Sequence, residues 1–315
     1  MSSLVDLFLK SFGKNETNIW LGVMVVLWGL SWPAMKVAVG LMDPLWMATL
    51  RFATAGFCLF LFLGWRGELK FPQKGDWAIL ASIGGLQMMA FTALGVTAMQ
   101  YTDASHAALL AYTTPLWGLL AGWLLFGEKP TSKQLIALCV GLCGIGMICS
   151  PLEMDWNKPG ALSGAAMLLL AAVGWAFVIL HIRRHQWVSR PIDLAPWQML
   201  FATLSLTIIS MVVVGVPHVQ HWTPELWGLL LFIGPVATSL CFVIAADVGR
   251  RVSTFTMSNI TLGVPVIGVL ASVVFLHERI TTLLAIGLAL IVGSVIFATW
   301  AGHGAVTSAE EGLDL

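Results

Sequence analysis

Trp28, Trp32 and Lys36 are spaced four residues apart, so on a helix they share one face. Two indoles followed by an ammonium can hold the flat apolar side of a small molecule and steer its charged end. The positions 145 residues on, Val173, Phe177 and His181, again end on a group able to carry positive charge. A packing seam with a snorkelling lysine is the plainer alternative. A second constellation is doubled more closely. Residues 109–131 read LLAYTTPLWGLLAGWLLFGEKPT, and residues 259–281 read NITLGVPVIGVLASVVFLHERIT. Pro115, Gly118, Glu128, Lys129 and Thr131 meet Pro265, Gly268, Glu278, Arg279 and Thr281 at an offset of 150. A proline inside an apolar run removes a ladder hydrogen bond and kinks the helix. Each glutamate can close a charge pair between helix ends, or simply form a solvated pair with its basic neighbour.

The elements that position these groups must lie in lipid. Of 315 residues, 58% are hydrophobic and 10% charged, with mean hydropathy +0.88; a soluble domain carries about 25% charged residues. Sixteen basic and sixteen acidic residues cancel, which removes the electrostatic case for nucleic acid. Polar groups are costly at depth, so Gln87, Tyr112 and Asn259 are candidates to bond an amino or carboxylate group, or else to bond helix to helix. Thr113 and Thr114, just before Pro115, suit re-satisfaction of a kinked backbone. Most of the fifteen tryptophans fall near the ends of apolar runs, as an interfacial belt does. Trp28, Trp32, Trp117 and Trp175 sit at depth instead, where lipid-facing or core packing is the plainer reading for each, and Trp28, Trp32 and Trp175 enter the list of cavity candidates. Cys139 and Cys143 share a helix face, but with no His or acid near them they read as small packing residues, not metal ligands. Enzyme signatures are missing. There is no Gly-x4-Gly-Lys-Ser/Thr loop, no second His at zinc spacing after His277-Glu278, and no Gly-x-Ser-x-Gly, so no catalytic or metal residue is nominated.

A membrane-crossing helix needs about 20 apolar residues. On that scale the chain divides into ten spans, near 18–40, 43–64, 76–99, 103–126, 132–150, 160–182, 194–215, 225–247, 252–276 and 281–300. Lys10, Lys14, Arg66, Lys70, Lys74, Lys129, Lys133, Arg183, Arg184, Arg190, Arg250 and Arg251 then fall on the side of the N-terminus. Only Lys158 and Arg279 fall opposite. The excess predicts that both termini are cytoplasmic. Residues 1–17 read as an amphipathic stretch at the membrane surface and 301–315 as a polar cytoplasmic tail. Arg51, in the outer part of the second span, is expected to anchor headgroups or to pair with Asp43. The offsets of 145 and 150 also align Gly29 with Gly174, Trp77 with Trp227 and Gly84 with Gly234. Two five-span halves, 18–150 and 160–300, are therefore expected, the second inserted upside down because five is odd. Inverted repeats are an architecture of secondary transporters.

Ten spans in two repeats, a Trp-Gly near the middle of the first span and a doubled Pro-x2-Gly-x9-Glu resemble the EamA family of the drug/metabolite transporter superfamily. The resemblance covers 18–300, and the chain looks most similar to the bacterial aromatic amino acid exporters. It implies an all-α inner-membrane secondary transporter that exports amino acids, aromatic or otherwise apolar, or related metabolites by alternating access. Export of other metabolites or drugs is the alternative, and a membrane-embedded enzyme a more distant one. It also implies a small-molecule substrate, no bound cofactor and no ATPase subunit. Trp28, Trp32, Gln87, Tyr112, Trp175, Phe177 and Asn259 are the expected cavity residues. Pro115 and Pro265 are the expected hinges. Lys36 with Glu278 at the outer mouth, and His181 with Glu128 at the inner mouth, are the expected gates.

Overall fold

A computed structural model describes residues 14–150, 159–217, 222–248 and 260–311. The N-terminal amphipathic stretch and Asn259 lie outside them. Among the described residues every regular element is helical: α1 (Lys14–Leu41), α2 (Pro44–Trp65), α3 (Lys74–Ala98), α4 (Ala104–Ala111), α5 (Thr114–Phe126), α6 (Ser132–Ile148), α7 (Ala161–Arg184), α8 (Pro191–Val213), α9 (Pro224–Ala245), α10 (Gly263–Leu276) and α11 (Thr282–Glu311). Seven segments, counting α4 with α5 as one, are long and apolar enough to cross a bilayer. Ser132–Ile148, Gly263–Leu276 and Thr282–Ala298 are apolar but shorter. The exposed surface of the helices carries Phe57, Leu61, Leu124, Leu170, Ile208 and Phe275, as lipid contact requires. The chain is a multi-pass membrane protein.

The helix ends follow local chemistry. Asp43 starts α2 by accepting from the amides of Leu45 and Trp46 at 2.8 and 3.4 Å, with Pro44 at the first helical position. Asp43 is therefore occupied and does not pair with Arg51. Thr131 and Gln134 form a reciprocal capping box at the start of α6. α5 ends with Gly127 in the left-handed region (φ 68°), and the Glu128 amide returns to the Gly122 carbonyl at 3.1 Å. α10 ends the same way on His277 (φ 56°), with the Glu278 amide on the Ser272 carbonyl.

The prolines act differently from the expected mid-helix kinks. The fourth span is broken outright at Tyr112 and Thr113, and Pro115 lies in the first turn of α5, where its missing N–H costs little. The carbonyl it orphans, Ala111 O, accepts from Thr114 Oγ1 at 2.8 Å, and Thr113 Oγ1 likewise bonds Leu110 O. Pro265 likewise lies near the start of α10, just beyond a turn at Leu262.

α2 lies along α8, α1 along α10, α7 along α3 and α5, and α6 along α11. Both α3 and α9 widen into π-helical turns in mid-course, Ile83–Ala90 and Phe232–Leu240. A Cβ on Gly84 would meet Gln198 O at 2.9 Å and Phe201, and one on Gly234 would meet Arg51 O at 3.0 Å and Thr54. These glycines let α3 close on α8 and α9 close on α2. The Trp46 indole donates to Gly215 O at 3.1 Å, and the Trp197 indole donates to Lys70 O at 2.8 Å. Cys139 and Cys143 are exposed on α6, so they face lipid and are not packing residues.

Candidate functional site

A cavity of about 230 Å³ lies among α1, α2, α3, α7 and α9, beside the break between α4 and α5. Its wall is aromatic. Trp32 meets Tyr112 edge to face at 6.3 Å, Tyr112 meets Trp175 at 6.1 Å, and Trp175 meets Phe91 at 4.8 Å. Trp28, Phe52 and Phe242 add to it, with Met35, Met88 and Met99 among the remaining apolar lining. Tyr112 enters the cavity from the C-cap of α4, at the break before α5, with its amide still bonded to Ala108 O. Gln87 comes from the π-helical stretch of α3, where the widened turn shifts the facing of each residue by a fraction of a turn. Polar atoms are few and spread out: Ser31, Gln87, Thr92, Tyr112, Thr238 and Arg51.

The structure thus brings Trp28, Trp32, Gln87, Tyr112 and Trp175 to one cavity and leaves Phe177 out. Phe177 is 39% exposed on the outer surface of α7. It follows Trp175 by two residues, roughly 200° round the helix, so the two cannot share a face. The stripe on α1 therefore has no cavity-facing copy at Val173, Phe177 and His181. Trp117 instead donates to Thr113 Oγ1 at 3.0 Å and packs in the core. Pro33, inside α1, is not part of this lining. The carbonyl it orphans belongs to Gly29, and Gly29 lies against Ile267 and Gly268 of α10.

Arg51 is the residue whose role sequence reading missed. Its side chain runs into the cavity, where Nε donates to Thr238 Oγ1 at 2.9 Å and Nη1 approaches Met35 Sδ at 3.0 Å. The signal available was its depth, since it lies well inside α2 rather than at the end.

The two ends of the bundle carry the expected gate residues with different partners. At one end, Lys36 Nζ donates to the carbonyls of Met99 and Thr102, the latter at 2.7 Å. Beside it, Glu278 accepts from the amides of Ala104 and Ser105 at 2.8 and 3.0 Å, capping α4. Lys36 and Glu278 therefore meet backbone groups of the same α3–α4 connection and do not form a direct pair. At the other end, Glu128 pairs with Arg184, not with His181. The His181 ring faces His185 instead, at 5.8 Å between centroids. The Arg184 guanidinium also lies over the Phe126 ring at 3.8 Å. Asp76, fully buried, holds the loop after α7 by accepting from the amides of Val188 and Ser189, with His185 Nε2 at 3.1 Å.

The sequence pattern of the EamA-like transporter family matches residues 16–150 and again 162–300. The chain belongs to that family. This EamA-family protein is a membrane transporter, not an enzyme. It is 27% identical over 288 residues to "Uncharacterized transporter YoaV" of Bacillus subtilis, covering 90% of this chain and 97% of that one. It is 26% identical over 281 residues to a "Probable amino-acid metabolite efflux pump" of Salmonella typhimurium, covering 87% and 91%. A protein of known crystal structure superposes with a TM-score of 0.63 at 22% identity, over 90% of this chain and 96% of the other, a likeness of fold.

Proposed function

We propose that this EamA-family transporter exports amino acids with aromatic or other apolar side chains, or small metabolites related to them, across the bacterial inner membrane. In this reading it has ten spans in two inverted five-helix repeats, 18–150 and 160–300, with both termini cytoplasmic. Transport is by alternating access around a fixed central site. The observation that carries the substrate reading is the aromatic wall, Trp32–Tyr112–Trp175–Phe91, around about 230 Å³. That volume falls just below the ~300–1,000 Å³ of sites for drug-sized ligands, which suits a molecule with one ring system.

Support for the repeat comes from contacts that recur across the two halves. The π-helical stretches of α3 and α9 differ by about 150 positions, as do Gly84 and Gly234. Trp46 to Gly215 and Trp197 to Lys70 each tie the first part of one of the packed helices α2 and α8 to the segment that follows the other. The family pattern also matches each half separately, and the amino-acid metabolite efflux named for a relative agrees with the cavity's chemistry. Trp28, Trp32, Gln87, Tyr112 and Trp175 contact substrate. The breaks beside Pro115 and Pro265 let one half-helix move without unfolding the other. Lys36, Glu278, Glu128 and Arg184 hold the mouths.

The test is counterflow into proteoliposomes loaded with a panel of amino acids and aryl metabolites. Apolar ring-bearing substrates should exchange fastest, and Trp32→Ala or Trp175→Ala should slow them more than small substrates. Absence of exchange for every member, with correctly inserted protein, would end this reading.

A further inference from the structure

The cavity holds one cation and, among the described residues, no carboxylate. Arg51 makes no ion pair there. Of the five N–H donors a guanidinium carries, one on Nε and one on Nη1 are used, the latter on a thioether that accepts weakly. The other donors have no acceptor among the described residues. A charge at this depth is costly in lipid and marks a function unless something neutralises it.

Two plainer roles are available to an arginine in a span, and the geometry fits neither. A headgroup anchor would snorkel toward the membrane surface, whereas this side chain bonds Thr238 in the middle of α9. Structural glue between α2 and α9 does not need the charge either. Gly234 already brings α9 against Arg51 O and Thr54, and Ser239 Oγ bonds Ala55 O at 2.7 Å. The glycine contacts recur across the halves, Gly234 on Arg51 O and Thr54 and Gly84 on Gln198 O and Phe201, which sets Arg51 opposite Gln198, so the other half makes the same helix contact with no charge at all.

We propose that Arg51 binds the carboxylate of the transported molecule, and that the substrate is an aromatic monoanion without a free ammonium rather than a zwitterion. The proposal rests on reading this cavity as the transport site, and it narrows the proposed substrates from amino acids to the small metabolites related to them. A carboxylate can take two parallel N–H bonds from the guanidinium fork. The ring attached to it then lies along Trp28, Trp32, Tyr112 and Trp175. A monoanion leaves the site neutral. A zwitterion leaves it carrying one net positive charge, with an ammonium that finds no acid to pair with and only ring faces and Gln87 to rest on. An organic cation meets like charge.

Three probes with the same phenyl tail separate these cases: 3-phenylpropanoate, L-phenylalanine and 3-phenylpropylamine. Binding to the purified full chain in lipid nanodiscs can be read from the fluorescence of the cavity tryptophans at neutral pH. The anion should bind about ten-fold tighter than the zwitterion, and the amine weakest, as expected when a site built for a charged group meets a ligand with the wrong one. Arg51→Gln should remove that ten-fold advantage and leave the amine no weaker, while Arg51→Lys keeps part of it. Arg51→Lys also guards against misfolding, since both variants must match the parent in thermal unfolding. Phenylalanine binding as tightly as phenylpropanoate, or Arg51→Gln binding phenylpropanoate like the parent, overturns the proposal. Counterflow, corrected for protein-free vesicles, separates it from the transport reading. Arg51-dependent binding of the anion without flux sinks transport and keeps the carboxylate site. Flux of phenylalanine that survives Arg51→Gln does the reverse.

Discussion

The Glu278 end and the Glu128 end of the bundle are built from the same sequence motif and hold different contacts. At the first, Glu278 accepts two backbone amides of α4 and Lys36 accompanies it, and the helices that carry them, α1 and α10, close on each other at mid-span, where Gly29 meets Ile267 and Gly268. At the second, Glu128 and Arg184 pair with side chains 55% and 38% exposed. Gly174, the partner of Gly29 at the offset of 145, has no neighbour within 4 Å of an added Cβ. One end is tied through backbone amides; the other is bridged by two solvated side chains. A single motif placed twice need not be in one state twice. In a two-state transporter the difference between the ends is what conversion would exchange, and the energy separating the states is the energy of these contacts.

The largest effect should come from the two glycines. A methyl on Gly29 runs into Ile267, so Gly29→Ala overpacks α1 against α10, a change that costs about 1–3 kcal/mol. Gly174→Ala meets open space and gains helix propensity, up to ~1 kcal/mol in the opposite direction. Thermal unfolding in nanodiscs should therefore fall for the first and hold or rise for the second. Flux tells the rest. If α7 must close on α5 in the other state as α1 closes on α10 here, Gly174→Ala should lose transport while remaining stable. Equal unfolding costs would show that the two ends do not differ.

A smaller effect is expected from the glutamates. Glu278→Gln weakens two charge-assisted bonds to amides, and bonds to charged groups contribute about 1.5–3 kcal/mol each at most. Glu128→Gln weakens an exposed pair, worth about 0–1 kcal/mol. Cysteines placed near each mouth and labelled from one side at a time should report a clear opening of the Glu278 end in the first variant. The second should show little change or a slight loosening at its own end. Equal shifts in the two would mean that burial of the cap does not matter, and the comparison would fail.

Much of this was legible in sequence, and the misses share a cause. Apolar runs of membrane length gave helices whose described ends mostly move by only a few residues, because hydrocarbon thickness constrains them directly, but α11 runs on to Glu311, beyond the end expected at 300. The cavity residues Trp28, Trp32, Gln87, Tyr112 and Trp175 stood out because aromatic or polar groups at depth are rare. What sequence spacing does not carry is rotation about the helix axis. Phe177 and Trp175 are equally deep, and only the packing of α7 on α3 and α5 decides which one faces in. Arg51 was read as an interfacial residue because its depth allows snorkelling; the partner that draws it inward, Thr238, is 187 positions away. Arg184 instead of His181 at Glu128 is a displacement of one turn. Pro115 was legible as a break but not as the start of a new helix, which depends on Thr114 rescuing the orphaned carbonyl.

The smallest effect concerns the ion pairs of Glu68. Glu68 accepts from Arg66 at 2.6 Å and from Arg190 at 3.3 Å, tying the connection after α2 to the start of α8. The Arg66 hydrogen bond, more than any other favourable contact, holds the Glu68 carboxyl below the usual carboxylate range. A lowered folded value means that the contribution is fully present above the unfolded value, about 4.3 for a glutamate, and is lost as pH falls through the folded one. Glu68→Gln should therefore cost about 0.2–1 kcal/mol at neutral pH, the range for exposed pairs, and the cost should shrink toward zero on acidification below about pH 4. Mouth labelling should stay at the parent level throughout, since Glu68 bridges elements that do not line the cavity. If Glu68→Gln opened the Glu128 end as much as Glu128→Gln, that end would be held by a diffuse charge network. The contrast between a mouth tied through backbone amides and a mouth held by one side-chain pair would then have to be redrawn.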